Sequence, residues 1–199
     1  MMEWIFFDVG STLVDETEAY DHRAREMIAG TGITFEDFAS KRIELARKGL
    51  DGNSAAIEFF ALEKTPWHSE DEVPFPDADD TLKYLKDRGY RLGIIANQAM
   101  GTEQRLEAWG LRGYFSVIAA SAELGVAKPD PAIFREACRL AGCRPEDTVM
   151  VGDRLDNDIL PAKALGMDTV WIRKGMSVYQ DSEIPDHTID ALADLKELF

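Results

Sequence analysis

Carboxylates and one lysine stand in this chain at places where short apolar runs stop. Glu3–Asp8 (EWIFFD) ends in Asp8 and turns at Gly10, Ser11 and Thr12. Arg91–Ala96 is followed by Asn97 and Gln98, a third run by Lys128-Pro129-Asp130-Pro131, and Thr148–Gly152 by Asp153-Arg154-Leu155-Asp156-Asn157-Asp158. A carboxylate fixed in a tight turn at a strand end, with backbone amides around it, is poised for nucleophilic attack. An Asp after an apolar run is in most proteins a turn or cap residue. What sets Asp8 apart is its company, four polar clusters following four apolar runs.

Such clusters meet only if the runs are neighbouring strands. Glu3–Asp8, Arg91–Ala96, Tyr114–Ala119, Thr148–Gly152 and Asp168–Ile172 read as buried parallel strands. Between them Asp77–Arg88, Thr102–Trp109, Asp130–Ala141 and Asp156–Leu165 have helical periodicity, with Pro131 near a start and Gly89, Gly142 or Gly166 at an end. The alternation predicts an α/β fold, a doubly wound, Rossmann-like parallel sheet whose ligands bind outside the carboxyl ends of the strands. From Val14 to Phe75 no strand pattern is visible, only helical stretches near Glu16–Ala29, Phe35–Lys48 and Ser54–Leu62, then an acidic, proline-bearing hinge at His68–Pro76. The expected organisation is a core of residues 1–13 and 76–199 with a small α-helical insertion at 14–75. Leaving directly after the first strand's turn, the insertion is placed to act as a lid; a helical decoration is the plainer alternative.

Composition narrows the partners. At 199 residues and 45% hydrophobic content the chain can bury a sizeable core. A formal net charge of −15 repels nucleic acid and anionic membranes, so no nucleic-acid or membrane partner is expected. It would also repel an anionic substrate, so a phosphate site needs concentrated positive charge, most simply a divalent cation. Cys138 and Cys143, five apart across a helix exit, are expected to diverge and stay reduced, and His22, His68 and His187 lack zinc-site spacing. With no signal-peptide pattern and no apolar run near the ~18 residues that span a bilayer, a cytoplasmic location is expected.

The pattern D-x-x-x-T-L at Asp8 to Leu13, a strand-end Asn97, K-P-D-P at Lys128 and G-D-x-x-x-x-D at Gly152 to Asp158 resembles the four ordered motifs of the haloacid dehalogenase-like hydrolase superfamily. The insertion resembles, in place and helical character, a short form of the superfamily's cap between its first two motifs. The resemblance implies that Asp8 attacks the substrate to form a covalent aspartyl intermediate while Lys128 neutralises the carboxylate and the incoming anion. It implies Mg2+ held by Asp8, the backbone carbonyl of Gly10 and Asp153, an oxygen set suited to a hard cation, with Asp158 behind. Ser11, Thr12, Asn97, Gln98 and Lys128 are the implied binders of a small phosphorylated metabolite.

Two positions depart from the family's common phosphatase pattern. Gly10 stands where a second Asp usually protonates the leaving alkoxide and later activates water, a role worth ~10²–10⁴-fold. Ala96 replaces a Ser or Thr donor to the phosphoryl group, a loss of about 1.5–3 kcal/mol unless Gln98, Thr102 or Ser11 substitutes. Three readings stay open. The first is a phosphatase for acyl, aryl or anomeric phosphates, with Asp15 or a cap residue supplying any proton. The second is a carbon–halogen hydrolase of the 2-haloacid dehalogenase type, with Arg42 or Arg47 cradling the halide. The third is a non-catalytic member that binds a phosphorylated ligand or a protein. If the missing acid limits the rate, Gly10→Asp should accelerate alkyl phosphates more than aryl ones.

Overall fold

The computed structural model describes residues 3–199. Its strands are β1 (Trp4–Phe7), β2 (Val14–Asp15), β3 (Val73–Pro74), β4 (Arg91–Ala96), β5 (Phe115–Ala120), β6 (Thr148–Gly152), β7 (Asp168–Ile172) and β8 (His187–Ile189). The helices are α1 (Thr17–Ile28), α2 (Phe35–Ala46), α3 (Gly52–Phe59), α4 (Ala78–Asp87), α5 (Thr102–Ala108), α6 (Ser121–Leu124), α7 (Pro131–Ala141), α8 (Leu160–Ala164) and α9 (Leu195–Leu198). Six strands make one sheet in the order β5-β4-β1-β6-β7-β8, every pair parallel. The expected doubly wound α/β core is therefore present.

Burial of β1 on both faces explains its uninterrupted apolar run. Ile5 and Phe7 point into a cluster with Leu82 and Leu85 of α4 and with Leu106 and Leu195. Trp4 and Phe6 point the other way, to Ile133, Phe134 and Ala137 of α7 and Ala162 of α8. The period-2 alternation of strand side chains thus feeds two cores from four residues. A third, smaller cluster holds α1, α2 and α3 together through Ala24, Met27, Phe38, Ala56 and Ile57.

The structure adds elements where no strand pattern was legible. β2 and β3 pair antiparallel, Val14 with Pro74 and Asp15 with Val73, so the chain leaves for the helical segment and returns side by side. The Phe75 amide extends this pairing by donating to the Leu13 carbonyl at 2.9 Å. Two-residue strands carry no periodicity to detect. β8 closes the sheet edge, and half of the helix expected at Asp156–Leu165 is one π-helical turn, Leu155–Ile159, ahead of α8. Cys138 and Cys143 are free, but they do not diverge: the Cys143 thiol lies 3.8 Å from the Cys138 carbonyl. Among the described residues no helix is long and apolar enough to cross a membrane.

Candidate active site

Parallel pairing brings the polar clusters to one edge. β1 lies between β4 and β6, and the Asp8 amide continues that pairing by donating to the Val151 carbonyl at 2.9 Å. Asp8, Asn97 and Asp153 therefore all follow carboxyl ends of adjacent central strands. This is also where the strand order reverses, with β4 and β5 on one side of β1 and β6 to β8 on the other. A cavity of about 150 Å³ opens there, lined by Asp8, Gly10, Ser11, Asn97, Gln98, Lys128, Asp153 and Asp158, with Glu16 and Tyr20 from the segment after β2.

Lys128 is the hub. Its Nζ donates to Asp8 Oδ1 at 2.6 Å and to Asp158 Oδ1 at 2.5 Å. Asn97 fixes the backbone beneath it, accepting from the Lys128 amide at 2.7 Å and donating to the Lys128 carbonyl at 2.9 Å. Asn97 lines the cavity, and its two bonds to the Lys128 backbone position Lys128 while using one of the two Nδ2 hydrogens. Burial by itself would lower Lys128, but Asp158 and Asp8 outweigh it and hold the ammonium above its ordinary value.

Asp158 reaches Lys128 because the π-helical turn folds it back over Gly152. A Cβ built on Gly152 would sit 2.4 Å from Asp158 Cγ, which explains the bare residue at that strand end. The Arg154 amide donates to Asp158 Oδ2 at 2.9 Å, and Trp171 Nε1 donates to the Asp153 carbonyl at 2.7 Å. Asp153 is 7% exposed, and among the described residues its carboxylate has no hydrogen-bond or ion-pair partner. Burial first, then repulsion from Asp158, Asp8 and Glu16, pushes it well above the ordinary carboxylate range. Burial likewise raises Asp158, to about 6, against the pull of Lys128.

Asp8, Asp153 and Asp158 each offer an oxygen within 4.8 Å of the others, and Gly10 lines the same cavity. Hard oxygen donors crowded around an unpartnered, buried carboxylate fit a divalent cation such as Mg2+. Asp158, expected behind the ion, is near enough to belong to the donor set itself.

The sequence reading missed Glu16. A Cβ built on Gly10 would lie 2.4 Å from Glu16 Oε1 and 2.6 Å from Oε2, so the Glu16 carboxyl fills the space that a side chain at position 10 would take. Ser11, in the left-handed region at φ 53°, donates its hydroxyl to Glu16 Oε2 at 3.2 Å. Burial, with Asp8 and Glu72 nearby, raises Glu16 to about 8. The only advance signal was an acid six residues beyond a glycine that replaces an acid.

Other expected residues fall elsewhere. Thr12 is fully buried and is not among the residues lining the cavity, and its hydroxyl has no hydrogen-bond partner among the described residues. Asp15 accepts from the Thr17 amide at 2.9 Å, a cap on α1 rather than a proton source for the cavity. Thr102 donates to the Ala99 carbonyl, and Gln98 lines the cavity while accepting from Arg105 at 2.9 Å. Arg42 pairs with Asp21 at 2.6 Å and Arg47 stacks on Tyr179, so neither faces Asp8. The halide cradle imagined from them is not formed.

Comparison with known proteins gives the same picture. The chain is 40% identical over 130 residues to a glyceraldehyde 3-phosphate phosphatase of Methanopyrus kandleri, covering 63% of this chain and 56% of that protein. It is 30% identical over 228 aligned residues to a glyceraldehyde 3-phosphate phosphatase of Methanothermobacter thermautotrophicus, with 100% of both chains covered. The crystal structure of a HAD phosphatase from Thermococcus onnurineus superposes with a TM-score of 0.69 at 26% identity, covering 99% of this chain and 97% of that one. The family model for haloacid dehalogenase-like hydrolases matches residues 2–166. This chain belongs to the haloacid dehalogenase-like hydrolase family and is a hydrolase.

Proposed function

We propose that this protein is a Mg2+-dependent phosphatase of a small phosphorylated metabolite, working through an aspartyl-phosphate on Asp8. The observation that carries this reading is Lys128 Nζ shared between Asp8 and Asp158, beside an unpartnered Asp153, at the mouth of the central strands. Two of the relatives above bear the name of a phosphatase, which supports the same choice.

In this reading the free oxygen of Asp8 attacks phosphorus, the bond from phosphorus to the alcohol oxygen breaks, and the alcohol leaves with a proton. Water then attacks the phosphoryl group, restoring the Asp8 carboxylate and releasing inorganic phosphate. Lys128 holds one Asp8 oxygen so that the other faces the cavity, and its charge draws the anion in. A bound Mg2+, held by Asp8, Asp153 and the Gly10 carbonyl, would offset phosphoryl and carboxylate charge. Glu16 takes the place of the usual acid: its carboxyl gives the proton to the departing oxygen and then accepts one from water. Segment 14–75 is the lid that closes over this chemistry. Asp51 at the start of α3 accepts from Arg154 at 2.8 Å and Leu50 from Gln180 at 2.9 Å, contacts that latch it to the core.

The test is release of phosphate from para-nitrophenyl phosphate and acetyl phosphate, with Mg2+ and with chelator, for the wild type and Asp8→Asn. Release that needs both the metal and Asp8 is expected. Chloride freed from 2-chloropropionate without metal, or no phosphate from either phosphate compound, would overturn the reading.

A further inference from the structure

A second and larger cavity, about 410 Å³, joins the first and shares Glu16, Tyr20, Asn97 and Gln98 with it. A phosphoryl group at Asp8 would leave its alcohol portion in this larger space. Its dimensions and chemistry therefore describe the alcohol. An apolar cavity of ~150 Å³ accommodates a benzene ring, so this one has room for a ring and a substituent.

Its walls differ from end to end. Met27, Phe38 and Ile57 make an apolar wall from all three lid helices. Opposite them the Trp67 indole is held edge-on to Tyr20, with ring centroids 4.8 Å apart, and its Nε1 donates to Glu72 Oε1 at 2.6 Å. Aromatic edges and faces at this spacing suit a flat apolar body.

Charge is placed more unusually. Arg23 reaches the cavity wall with its guanidinium 5.7 Å from the Trp67 ring centre, and no carboxylate among the described residues pairs with it. Its Nε is sealed from solvent and has no hydrogen-bond partner. Lys64 lines the same wall, also without an ion-pair partner among the described residues. Arg105, the third cation of the wall, is spent on Gln98, Ala99 and Met100. Lys64 is exposed to solvent, so Arg23, with its sealed Nε, is the cation that this cavity leaves uncompensated. Buried donors in native proteins have partners, and an anion seated in this cavity would supply one. Asn53 Oδ1 and Glu72 Oε2 are likewise sealed and unpartnered acceptors on this wall. Burial raises Glu72 above its ordinary value.

We infer that the substrate is a phosphate monoester whose alcohol is a ring-sized apolar body bearing a carboxylate, with the carboxylate seated on Arg23 and Lys64. This rests on the phosphatase reading for the other end of the molecule. It goes beyond that reading in naming a substrate class distinct from a three-carbon phosphate.

The test uses two esters with matched leaving groups, 4-(carboxymethyl)phenyl phosphate and its neutral twin 4-(carbamoylmethyl)phenyl phosphate. With Mg2+ the wild type should prefer the carboxylate by about tenfold or more in kcat/KM, the range expected of a hydrogen bond between charged groups. Arg23→Gln and Lys64→Met should each shrink that ratio, whereas Arg139→Gln, on the exposed face of α7 and bonded to Glu136, should not. A wild-type ratio near one, or a loss in Arg23→Gln shared equally by both esters, overturns the inference while leaving the phosphatase reading standing. If neither ester is hydrolysed while para-nitrophenyl phosphate is, the inference is overturned and the phosphatase reading stands; if none of the three is, that reading falls and the cavity is still tested by calorimetry with 4-hydroxyphenylacetate. Binding that Arg23→Gln weakens severalfold supports the inference; no binding to the wild type overturns it.

Discussion

Gly10 and Glu16 behave as one unit. Because a Cβ at position 10 would overlap the Glu16 carboxyl, the two positions cannot both carry acidic side chains in their present arrangement. That changes what Gly10→Asp should do. Read from the sequence, the substitution supplies an absent acid; read from the structure, it collides with one already there. Gly10→Asp by itself is expected to lower turnover, and Glu16→Ala should cost alkyl phosphates ~10²-fold and aryl phosphates much less. The double variant Gly10→Asp/Glu16→Ala should recover alkyl turnover over Glu16→Ala, measured as the ratio of alkyl to aryl rates. Recovery by Gly10→Asp with Glu16 intact would refute the exchange. Asp8, Lys128, Asp153 and Asp158 were legible because each belongs to a spaced motif that follows a strand, and all four line one cavity. Glu16 was hidden because what recruits it is an empty volume over a glycine, and a string of letters does not display volumes. Asn97 lines the same cavity, and its side chain's bonds to the Lys128 backbone depend on a loop returning from 31 residues away.

The strands of the core announced themselves through apolar runs and several helices through their end signals, and the structure moves most ends by one or two residues, the end of α3 by three and the start of α8 by four. Thr34 and Asp51, for instance, accept from the amides of Asp37 and Ser54 as N-caps should. What escaped notice was built by pairing alone, as with β2 and β3, or by contact between distant side chains. The scattered histidines show the second case: His22 on α1 and His68 in the returning segment stack with ring centroids 3.7 Å apart. His68 Nε2 lies 3.0 Å from Glu26 Oε2 and its Nδ1 3.1 Å from Glu70 Oε1, while His22 Nδ1 meets Asp71 Oδ2 at 2.7 Å. Hydrogen bonding to Glu26 and then Glu70 raises His68 above its ordinary 6.5, burial opposing weakly. A raised value means that the folded state binds the proton more tightly than the unfolded one. The contribution of His68 to stability is therefore full below pH 6.5 and fades as pH rises through the folded value. The difference in Tm between wild type and His68→Asn should accordingly be largest near pH 6 and shrink toward pH 8, and an NMR titration should place His68 above 6.5. A constant difference across that range would show that the imidazole acts through packing alone.

At the scale of the whole molecule, a chain of net charge −15 has gathered Asp8, Asp153, Asp158 and Glu16 around one lysine at the centre of its sheet. Their repulsion and burial oppose folding as long as no cation answers them, so a site built for function is a weak point in the fold. Two opposite effects follow from the same residue. Asp153→Asn removes a buried, unpartnered charge and should raise the Tm of the metal-free protein. Mg2+ added to the wild type should raise Tm by linkage, about 2.7 kcal/mol at a hundredfold excess over Kd, or roughly 5–10 °C for a chain of this size. The same addition to Asp153→Asn should do much less, because the ion loses the ligand that most needs it. General screening of surface charge is separated out by matching ionic strength with NaCl, which should leave both proteins nearly alike. If NaCl reproduced the Mg2+ response, or if Asp153→Asn retained it in full, the central cluster would not be a cation site. The crowding of these acids would then have to be offset by protonation, and stability would fall as pH rises from about 4, through the loss of the Asp158 proton up to about 6 and of the Glu16 proton up to about 8.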